Sequence, residues 1–294
     1  MEFNENIEAD FTKSIVNPLR MYGGANGNKI GIIYKDEHYM LKFPPKPARS
    51  LIMSYTNSCI SEHVACRIFK ALGIDTQTTI LGHYNGKITV ACKDFEVSGF
   101  TLKDFAQLKN TIIDSEQNGY GTELNDILLT IREQQIVPPA ELLNFFWRMF
   151  ICDALLGNFD RHNGNWGFLV NQGTGEVKIA PVFDCGSCLY PQIDEVKMDY
   201  IMSNTVEIDE RIFKYPTSAL QQNGKKINYF QFLMTTGDAG CIDALKDVSM
   251  RIDMRDMQSI IDDTPFISGT YKRFLFAIIS ERKGKIIDSA LARL

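Results

Sequence analysis

The longest apolar stretch of the chain, Leu142–Leu156, has to be buried in whatever structure the chain adopts. Its spacing predicts a helix over residues 139–156 that is hydrophobic on nearly every face and is interrupted by Asn144, Arg148 and Asp153. A helix without a polar face is stable in water only when other elements surround it. The interruptions also leave it short of the roughly 18–20 apolar residues of a membrane span. The sequence therefore predicts a buried helix at the centre of a sizeable domain.

The overall composition is that of an ordinary globular protein. Of the 294 residues, 45% are hydrophobic and 23% are charged, which excludes disorder, collagen-like repeats and coiled coil as the main structure. Lys and Arg total 31 against 36 Asp and Glu, so the formal net charge is −5. Proteins that bind nucleic acids or anionic membranes through their charge are usually basic, and we therefore expect neither class of partner.

Seven cysteines are scattered along the chain, most of them inside apolar runs. An odd, scattered set in a chain of this length does not form a disulfide framework, so we expect reduced, buried thiols. The first ten residues are acidic and contain no apolar segment of the kind found in secretory signal peptides. The residues alone therefore predict a cytoplasmic protein.

The pattern changes near residues 96–100, from strand-like before this point to mainly helical after it. In the first part, two hairpins flank a helix that begins at Asn57 or Ser58 and ends at Gly73. The second hairpin turns at Asn85-Gly86, because both residue types accept the positive φ angles of a tight turn. The predicted strands are 29–34, 38–43, 76–84 and 87–95.

In the second part, a short hairpin interrupts a series of helices. The predicted hairpin strands are 166–170 and 177–182, and the predicted helices are 101–108, 124–135, 139–156, 239–251, 255–261 and 268–290. The expected fold class is α+β, with a small β-rich N-terminal lobe and a larger, mostly helical C-terminal lobe.

The densest polar cluster, Gly157–Asn165, lies between the predicted buried helix and a predicted strand. Loops held between rigid elements are where functional sites usually lie. Asp184 ends a later apolar strand, Lys42 is the one charge in its strand, and Glu62 lies partly toward the packed side of the following helix. Each of these residues alone has an ordinary structural explanation, but together and in this order they indicate a site.

This set of residues suits phosphoryl transfer. That reaction needs metal ions and a cation at the phosphate oxygens, and a group that orients the attacking hydroxyl. Asp184 and Asn165 offer the oxygen ligands that Mg²⁺ prefers, and Asp160 can orient the hydroxyl or accept its proton. Asn165 follows Asp160 by five residues, which is the spacing of the protein-kinase catalytic loop. Lys42 and Glu62 are the expected phosphate-binding ion pair.

The segment Asp160–Trp166, Asp-Arg-His-Asn-Gly-Asn-Trp, resembles the catalytic loop of HipA-like serine/threonine kinases. The resemblance extends over essentially the whole chain, and a related Asp-Arg-His-x-x-Asn form occurs in phosphoinositide kinases. It implies a two-lobed, kinase-like fold with Asp160 as the catalytic base. It also implies that Asn165 and Asp184 bind Mg²⁺ and that Lys42 contacts the phosphates of ATP.

The predicted lobes are residues 1–95 and 100–294, joined by a hinge at 96–99. The resemblance implies that residues near this hinge hold the adenine, with Lys93 and Phe95 as contacts. The glycine-rich segment 22–29 fits no standard phosphate-loop pattern, but its position before a strand makes it a candidate cover over the phosphates. Its candidate contacts are Gly23, Gly24 and Gly27.

Two residues near the candidate site have alternative interpretations. His162 is a candidate catalytic residue, with a structural hydrogen-bonding role as the alternative. Cys185 stands where kinases of this type usually have Phe, and it begins the sequence Cys-Gly-Ser-Cys. A papain-type protease is excluded because no His follows residue 162, and a zinc site because no second ligand pair is present. A reversible disulfide between Cys185 and Cys188 stays open.

We therefore expect an ATP- and Mg²⁺-dependent serine/threonine kinase that phosphorylates protein substrates and itself. A small-molecule or lipid kinase is the first alternative, and a catalytically silent, nucleotide-binding pseudokinase is the second. Resemblance to short, secreted, pro-inflammatory members of the family implies a role in virulence and export or translocation to host cells. The sequence leaves the physiological substrate and the oligomeric state open.

Overall fold

The computed structural model describes residues 9–20, 22, 29–44, 56–113 and 117–294. Most of the strands lie in the N-terminal part and most of the helices follow it, which confirms the predicted α+β class. The strands are β1 (Ala9–Asp10), β2 (Ile15–Asn17), β3 (Lys29–Tyr34), β4 (Glu37–Lys42), β5 (Thr79–Tyr84), β6 (Lys87–Lys93), β7 (Phe100–Asp104), β8 (Gly167–Asn171), β9 (Val177–Ile179), β10 (Gln221–Gln222) and β11 (Lys225–Lys226). The helices are α1 (Ser58–Ala71), α2 (Phe105–Ile112), α3 (Leu124–Glu133), α4 (Pro139–Leu156), α5 (Glu195–Met202), α6 (Thr205–Phe213), α7 (Tyr229–Thr235), α8 (Ala239–Arg251), α9 (Met254–Asp262), α10 (Gly269–Arg282) and α11 (Ser289–Ala292), the last two joined by a π-helical segment, Lys283–Asp288.

Six strands form one sheet in the order β1-β5-β6-β4-β3-β2, in which β1 runs parallel to β5 and the other neighbours are antiparallel. The predicted turn at Asn85-Gly86 is confirmed, since the two residues have φ angles of 50° and 72°. Helix α1 packs on β5 and β6, while a separate apolar cluster around Phe11 includes residues of β3, β4 and β6. At the sheet edge, Ala9 pairs with Gly82, where a Cβ atom would lie 2.2 Å from the Ala9 carbonyl oxygen.

Helix α4 has the predicted bounds, and from Phe146 to Leu156 every residue except Arg148 is buried. It packs against α3, α8 and α10, so neighbouring helices cover its apolar faces. The Trp147 ring stacks on Phe232 of α7 with the ring centroids 6.0 Å apart. Gly157 ends the helix in the left-handed conformation, with φ 64°, and turns the chain into the polar cluster identified from the sequence.

A second sheet, β7-β8-β9, corrects one prediction. The helix predicted over 101–108 is wrong in its first half, because Phe100–Asp104 is strand β7 and pairs with all of β8. Helix α2 begins after Asp104, whose carboxylate caps it by accepting a hydrogen bond from the Gln107 backbone N–H. Pairing with a strand more than sixty residues away therefore overrides the local helical pattern.

Several short elements carry no strong periodicity and were not predicted: β1, β2, α5, α6, α7, β10 and β11. The helix predicted over 268–290 is present, but its hydrogen bonding changes to the π type at Lys283. Within the described ranges, no helix combines the length and the apolar character needed to cross a membrane.

Candidate active site

A cleft with a cavity volume of about 760 Å³ contains most of the predicted site residues. Its lining includes Lys42, Glu62, Phe95, Asp160, His162, Asn165 and Asp184. Lys93 is not brought together with them, because its side chain pairs with the Glu37 carboxylate at 2.5 Å and is 42% exposed. Gly23, Gly24 and Gly27 lie outside the residues that the structure describes.

Lys42 joins two carboxylates inside the cleft. Its Nζ lies 3.0 Å from Glu62 Oε2 and 2.9 Å from Asp184 Oδ1. Lys42 is the last residue of β4, and Glu62 lies on α1, where it is 1% exposed. Burial acts to lower the pKa of Lys42, but the charges of Asp184 and Glu62 outweigh it and hold that pKa well above its usual value. The ammonium group therefore stays charged although it is buried.

The polar loop, Gly157–Asn165, is held in shape by its own hydrogen bonds. The Asn158 side-chain oxygen accepts from the Asp160 backbone N–H at 3.0 Å. The Asp160 carbonyl accepts from the His162 backbone N–H and from Asn165 Nδ2, both at 2.8 Å. Because Nδ2 of Asn165 is used within the loop, its Oδ1 is left as the acceptor atom of that amide.

Two side chains of the polar loop have distinct electrostatic surroundings. Burial raises the pKa of Asp160, while the nearby His162 opposes the shift. A carboxylate with a raised pKa is a better proton acceptor at neutral pH. His162 Nδ1 accepts a hydrogen bond from the Gly164 backbone N–H at 3.0 Å, so this residue shapes the loop while its side chain lines the cleft.

Asp184 and Asn165 provide oxygen atoms of the kind that hold Mg²⁺. Asp184 has a φ of 56°, a conformation that few residues other than glycine adopt. The charge of Lys42 lowers the pKa of Asp184, against the effect of burial, so the carboxylate is ionised at neutral pH. Mg²⁺ in phosphate-binding sites takes one or two protein oxygens, and phosphate and water complete its octahedron. One ionised carboxylate and one amide oxygen fit that requirement.

A buried ion pair that sequence reasoning missed supports the polar loop from behind. Arg161 Nε lies 3.0 Å from Asp153 Oδ2, and the two side chains are 4% and 1% exposed. The same guanidinium donates to the carbonyls of Asn165 and Phe183 at 2.8 and 2.5 Å. It also donates to Cys185 Sγ at 3.3 Å. One side chain thus ties together α4, the polar loop and the segment that carries Asp184.

The sequence contained a signal for this ion pair. Asp153 is a carboxylate in the apolar second half of α4, and a buried charge requires a partner. A second contact to this loop had no signal in the sequence. The Tyr229 hydroxyl donates to the Asn158 carbonyl at 2.5 Å. It joins residues 71 positions apart and belongs to a short helix that was not predicted.

A second unpredicted cluster lies at the connection between β6 and β7. Arg20 donates to both carboxylate oxygens of Asp94, at 2.7 and 3.0 Å, and also pairs with Glu96. The Tyr22 hydroxyl donates to Asp94 at 2.9 Å, and the Glu96 carboxylate accepts a hydrogen bond from the Leu102 backbone N–H in β7. Phe95, between the two acids, lines the cleft. The cluster therefore connects Arg20 and Tyr22, which lie at or just before the start of the glycine-rich segment, to the residues at the predicted hinge.

All seven cysteines are buried and none forms a disulfide, as expected for reduced thiols. Cys185 receives hydrogen bonds from the thiols of Cys188 and Cys66, and these bonds lower its pKa well below the usual value. Burial raises the pKa of Cys188. Cys185, which contacts Arg161, directly follows Asp184 in the chain.

Comparisons with known proteins agree with this geometry. The HipA-like C-terminal domain matches residues 22–264. The chain is 53% identical over 285 residues to the serine/threonine-protein kinase CtkA of Helicobacter pylori strain J99, which covers 97% of this chain and 88% of that protein. The crystal structure of a Helicobacter pylori proinflammatory kinase CtkA superposes with a TM-score of 0.94 at 52% identity, over 98% of this chain and 97% of that one.

A more distant structure shares the fold alone. HipA of Shewanella oneidensis MR-1, solved with HipB and operator DNA, has a TM-score of 0.55 at 13% identity, over 94% of this chain and 69% of that one. The domain match spans well over half of the chain, and the cleft brings the Lys42–Glu62 pair together with Asp160 and Asp184. The chain therefore belongs to the HipA-like family and is a kinase.

Proposed function

We propose that the chain transfers the γ-phosphoryl group of Mg²⁺-bound ATP to serine and threonine hydroxyls of proteins. The observation that carries this proposal is Lys42, whose side chain is 13% exposed and contacts both Glu62 and Asp184 in the same cleft as Asp160 and Asn165. Phosphoryl transfer depends mainly on positioning and on stabilising charge. These five side chains supply the groups for both tasks.

Each side chain has a definite task in this proposal. Lys42, oriented by Glu62, supplies positive charge to the phosphates, and Phe95 lies at the adenine side of the cleft. Asp184 and Asn165 would hold Mg²⁺, which neutralises charge on the phosphate oxygens when it is bound. Asp184 needs no loss of a proton before it binds a cation, because its pKa is already lowered by Lys42.

Asp160 acts on the acceptor hydroxyl. It orients the hydroxyl oxygen toward the γ-phosphorus and takes up the proton as the new O–P bond forms. The bond between the γ-phosphorus and the oxygen of ADP breaks in the same transfer. The raised pKa of Asp160, caused by burial, favours this proton transfer. We propose that hydroxyls of the chain itself are phosphorylated in the same way.

The direct test is a phosphorylation assay with Mg-ATP, with and without a generic protein acceptor, in which mass spectrometry locates the phosphate. We expect phosphoserine or phosphothreonine on the acceptor and on the chain. Asp160→Asn should lower the rate by roughly 10²–10⁴-fold, the usual contribution of an acid–base group. Asp184→Asn and Lys42→Met should lower it at least as much. Asp256→Asn, which removes an exposed carboxylate on α9, is the matched control and should retain activity.

Three results would contradict the proposal in different ways. Equal phosphorylation by the unmodified protein and by Asp160→Asn would refute the mechanism. Thermal stabilisation by nucleotide without any consumption of ATP would indicate a pseudokinase. Transfer to lipid vesicles or aminoglycosides, with none to protein, would indicate a lipid or small-molecule kinase.

We also propose that the chain acts outside the cell that produces it. The support is its 53% identity to CtkA and its structural similarity to a kinase described as proinflammatory. Immunodetection in the culture supernatant of intact producing cells would support export. Recovery from the cell interior alone would contradict it.

A further inference from the structure

The hairpin β10–β11 presents two adjacent lysines beside the candidate active site. Lys225 and Lys226 form strand β11, and both are exposed. Within the described ranges, neither lysine pairs with a carboxylate. Because the chain as a whole carries a net charge of −5, this pair is a local reversal of the prevailing charge.

The hairpin is held in place from the N-terminal end of α3. The Gln221 backbone N–H donates to the Thr122 carbonyl at 2.8 Å. The Glu123 carboxylate accepts from the backbone N–H groups of Asn223 and Gly224 in the hairpin turn, at 2.8 and 3.1 Å. Glu123 therefore fixes the turn through backbone donors, and among the described residues no carboxylate pairs with either lysine.

The segment that anchors the hairpin also anchors the polar loop. Asn163 of that loop donates through Nδ2 to the carbonyls of Gly119 and Gly121, both at 2.8 Å. Thr122 and Glu123, which hold the hairpin, follow directly in the chain. The hairpin and the polar loop thus share one support.

The other end of the hairpin is tied to the polar loop as well. Three residues after Lys226, the Tyr229 hydroxyl donates to the Asn158 carbonyl, two residues before Asp160. The charge of Lys226 reaches the Asp160 carboxyl, since it is among the positive charges that oppose the rise in its pKa caused by burial. The end of the hairpin is therefore tied, through Tyr229, to the loop that carries Asp160.

Building on the kinase function proposed above, we propose that Lys225 and Lys226 select acceptor polypeptides with acidic side chains next to the phosphorylated residue. An acceptor hydroxyl has to reach Asp160, so the flanking residues of the substrate pass the hairpin. Complementary charge at such a contact gives specificity and speeds association. The partner class is an acidic serine- or threonine-containing segment of a protein.

The test uses three peptides with one central serine, flanked on both sides by Glu, Ala or Lys. Binding to the full-length protein is measured by fluorescence anisotropy, and kcat/KM is measured with Mg-ATP. We expect the order Glu, Ala, Lys in both measurements. In Lys225→Gln/Lys226→Gln the ratio between the Glu and Lys peptides should fall by roughly 2- to 30-fold, the range expected for the loss of two solvent-exposed ion pairs, and in Lys225→Glu/Lys226→Glu it should fall further and invert. Raising the salt concentration should reduce the preference of the unmodified protein.

Lys246→Glu, which reverses an exposed lysine on α8, is the matched control and should keep the original order. Lys225→Gln/Lys226→Gln should lose the preference without reversing it, which separates the charge effect from misfolding. Equal binding of the three peptides to the unmodified protein would overturn the inference. An equal loss of binding and kcat/KM for all three peptides in the variants, together with a raised KM for ATP, would also overturn the inference, because that result would place the lysines at the phosphates of ATP. The anisotropy measurement tests the hairpin even if no phosphate is transferred, so failure of the inference and failure of the proposed function are distinguishable.

Discussion

Replacing Arg161 with Met tests whether the buried ion pair holds the active-site loop together. Arg161→Met keeps an apolar side chain in the space of the alkyl stem but removes the guanidinium. Asp153, which is 1% exposed, would then be a buried carboxylate without its ionic partner. The carbonyls of Asn165 and Phe183 would each lose a donor. The polar loop and the segment that carries Asp184 would no longer be joined through this side chain.

The expected cost follows from the burial of both partners. Removing one member of a buried ion pair typically costs about 3–5 kcal/mol, because the other charge stays buried and unpaired. With about 2.1 cal/mol/K of unfolding entropy per residue, a chain of 294 residues loses roughly 1.6 °C in Tm per kcal/mol, so the melting temperature should fall by roughly 5–8 °C. The double variant Asp153→Asn/Arg161→Met should recover part of this loss, since it removes the unpaired carboxylate.

The assay is thermal unfolding followed by circular dichroism, with the affinity for Mg-ATP measured in parallel. Arg255→Met is the matched control, because Arg255 pairs with Asp253 at 2.6 Å on the surface and its side chain is 91% exposed. That variant should melt close to the unmodified protein, since exposed ion pairs contribute little. If Arg161→Met melted within a degree of Arg255→Met, or if the double variant were no more stable than Arg161→Met, the reasoning would be refuted.

Two further predictions concern the N-terminal part of the chain. Burial lowers the pKa of His63 to about 4 from its usual 6.5, so the unfolded state binds the proton more tightly. The contribution of the neutral, buried His63 to the free energy of unfolding is therefore complete above pH 6.5 and is lost as the pH falls to 4. At 1.36 kcal/mol per pH unit, the loss is about 3 kcal/mol. Urea unfolding at a series of pH values should show a shallower acid dependence in His63→Gln than in the unmodified protein or in a His38→Gln control, and parallel curves would contradict this account. Arg20→Met removes both hydrogen bonds to Asp94 and the pair with Glu96, and it should weaken Mg-ATP binding by at least about tenfold, the equivalent of a single charge-assisted hydrogen bond of about 1.5 kcal/mol. The value of kcat should change less, and a fall in kcat with unchanged affinity in titration calorimetry would count against this account.

Elements with strong local periodicity were predictable, and elements that depend on distant pairing were not. The bounds of α4 and α8 match the prediction, because their apolar spacing and end signals lie within the helices themselves. The predicted helix 101–108 includes residues 101–104 of β7, because nothing in their local pattern reveals the pairing with β8. Hairpin β10–β11 has strands of two residues each, too short for any periodicity to appear.

The candidate site follows the same division. Lys42, Glu62 and Asp184 could be found because their types, order and predicted elements match a known chemistry. In the structure, both carboxylates lie within 3.0 Å of Lys42 Nζ. Arg20 and its partner Asp94 lie 74 positions apart and belong to no motif, so only the folded chain reveals their contact. The side chain of Lys93 turns to Glu37 because of strand register, which the local sequence does not determine.

Gly82 governs how the protein behaves toward other copies of itself. Strand β5 would be a sheet edge if the two residues of β1 did not cover it, and β1 fits because Gly82 has no side chain. Substituting Ala there would push the Ala9 carbonyl away and leave backbone N–H and C=O groups of β5 free to pair with another strand. A single methyl group at this position, on the strand next to the edge, is therefore expected to cause self-association and aggregation before it affects catalysis.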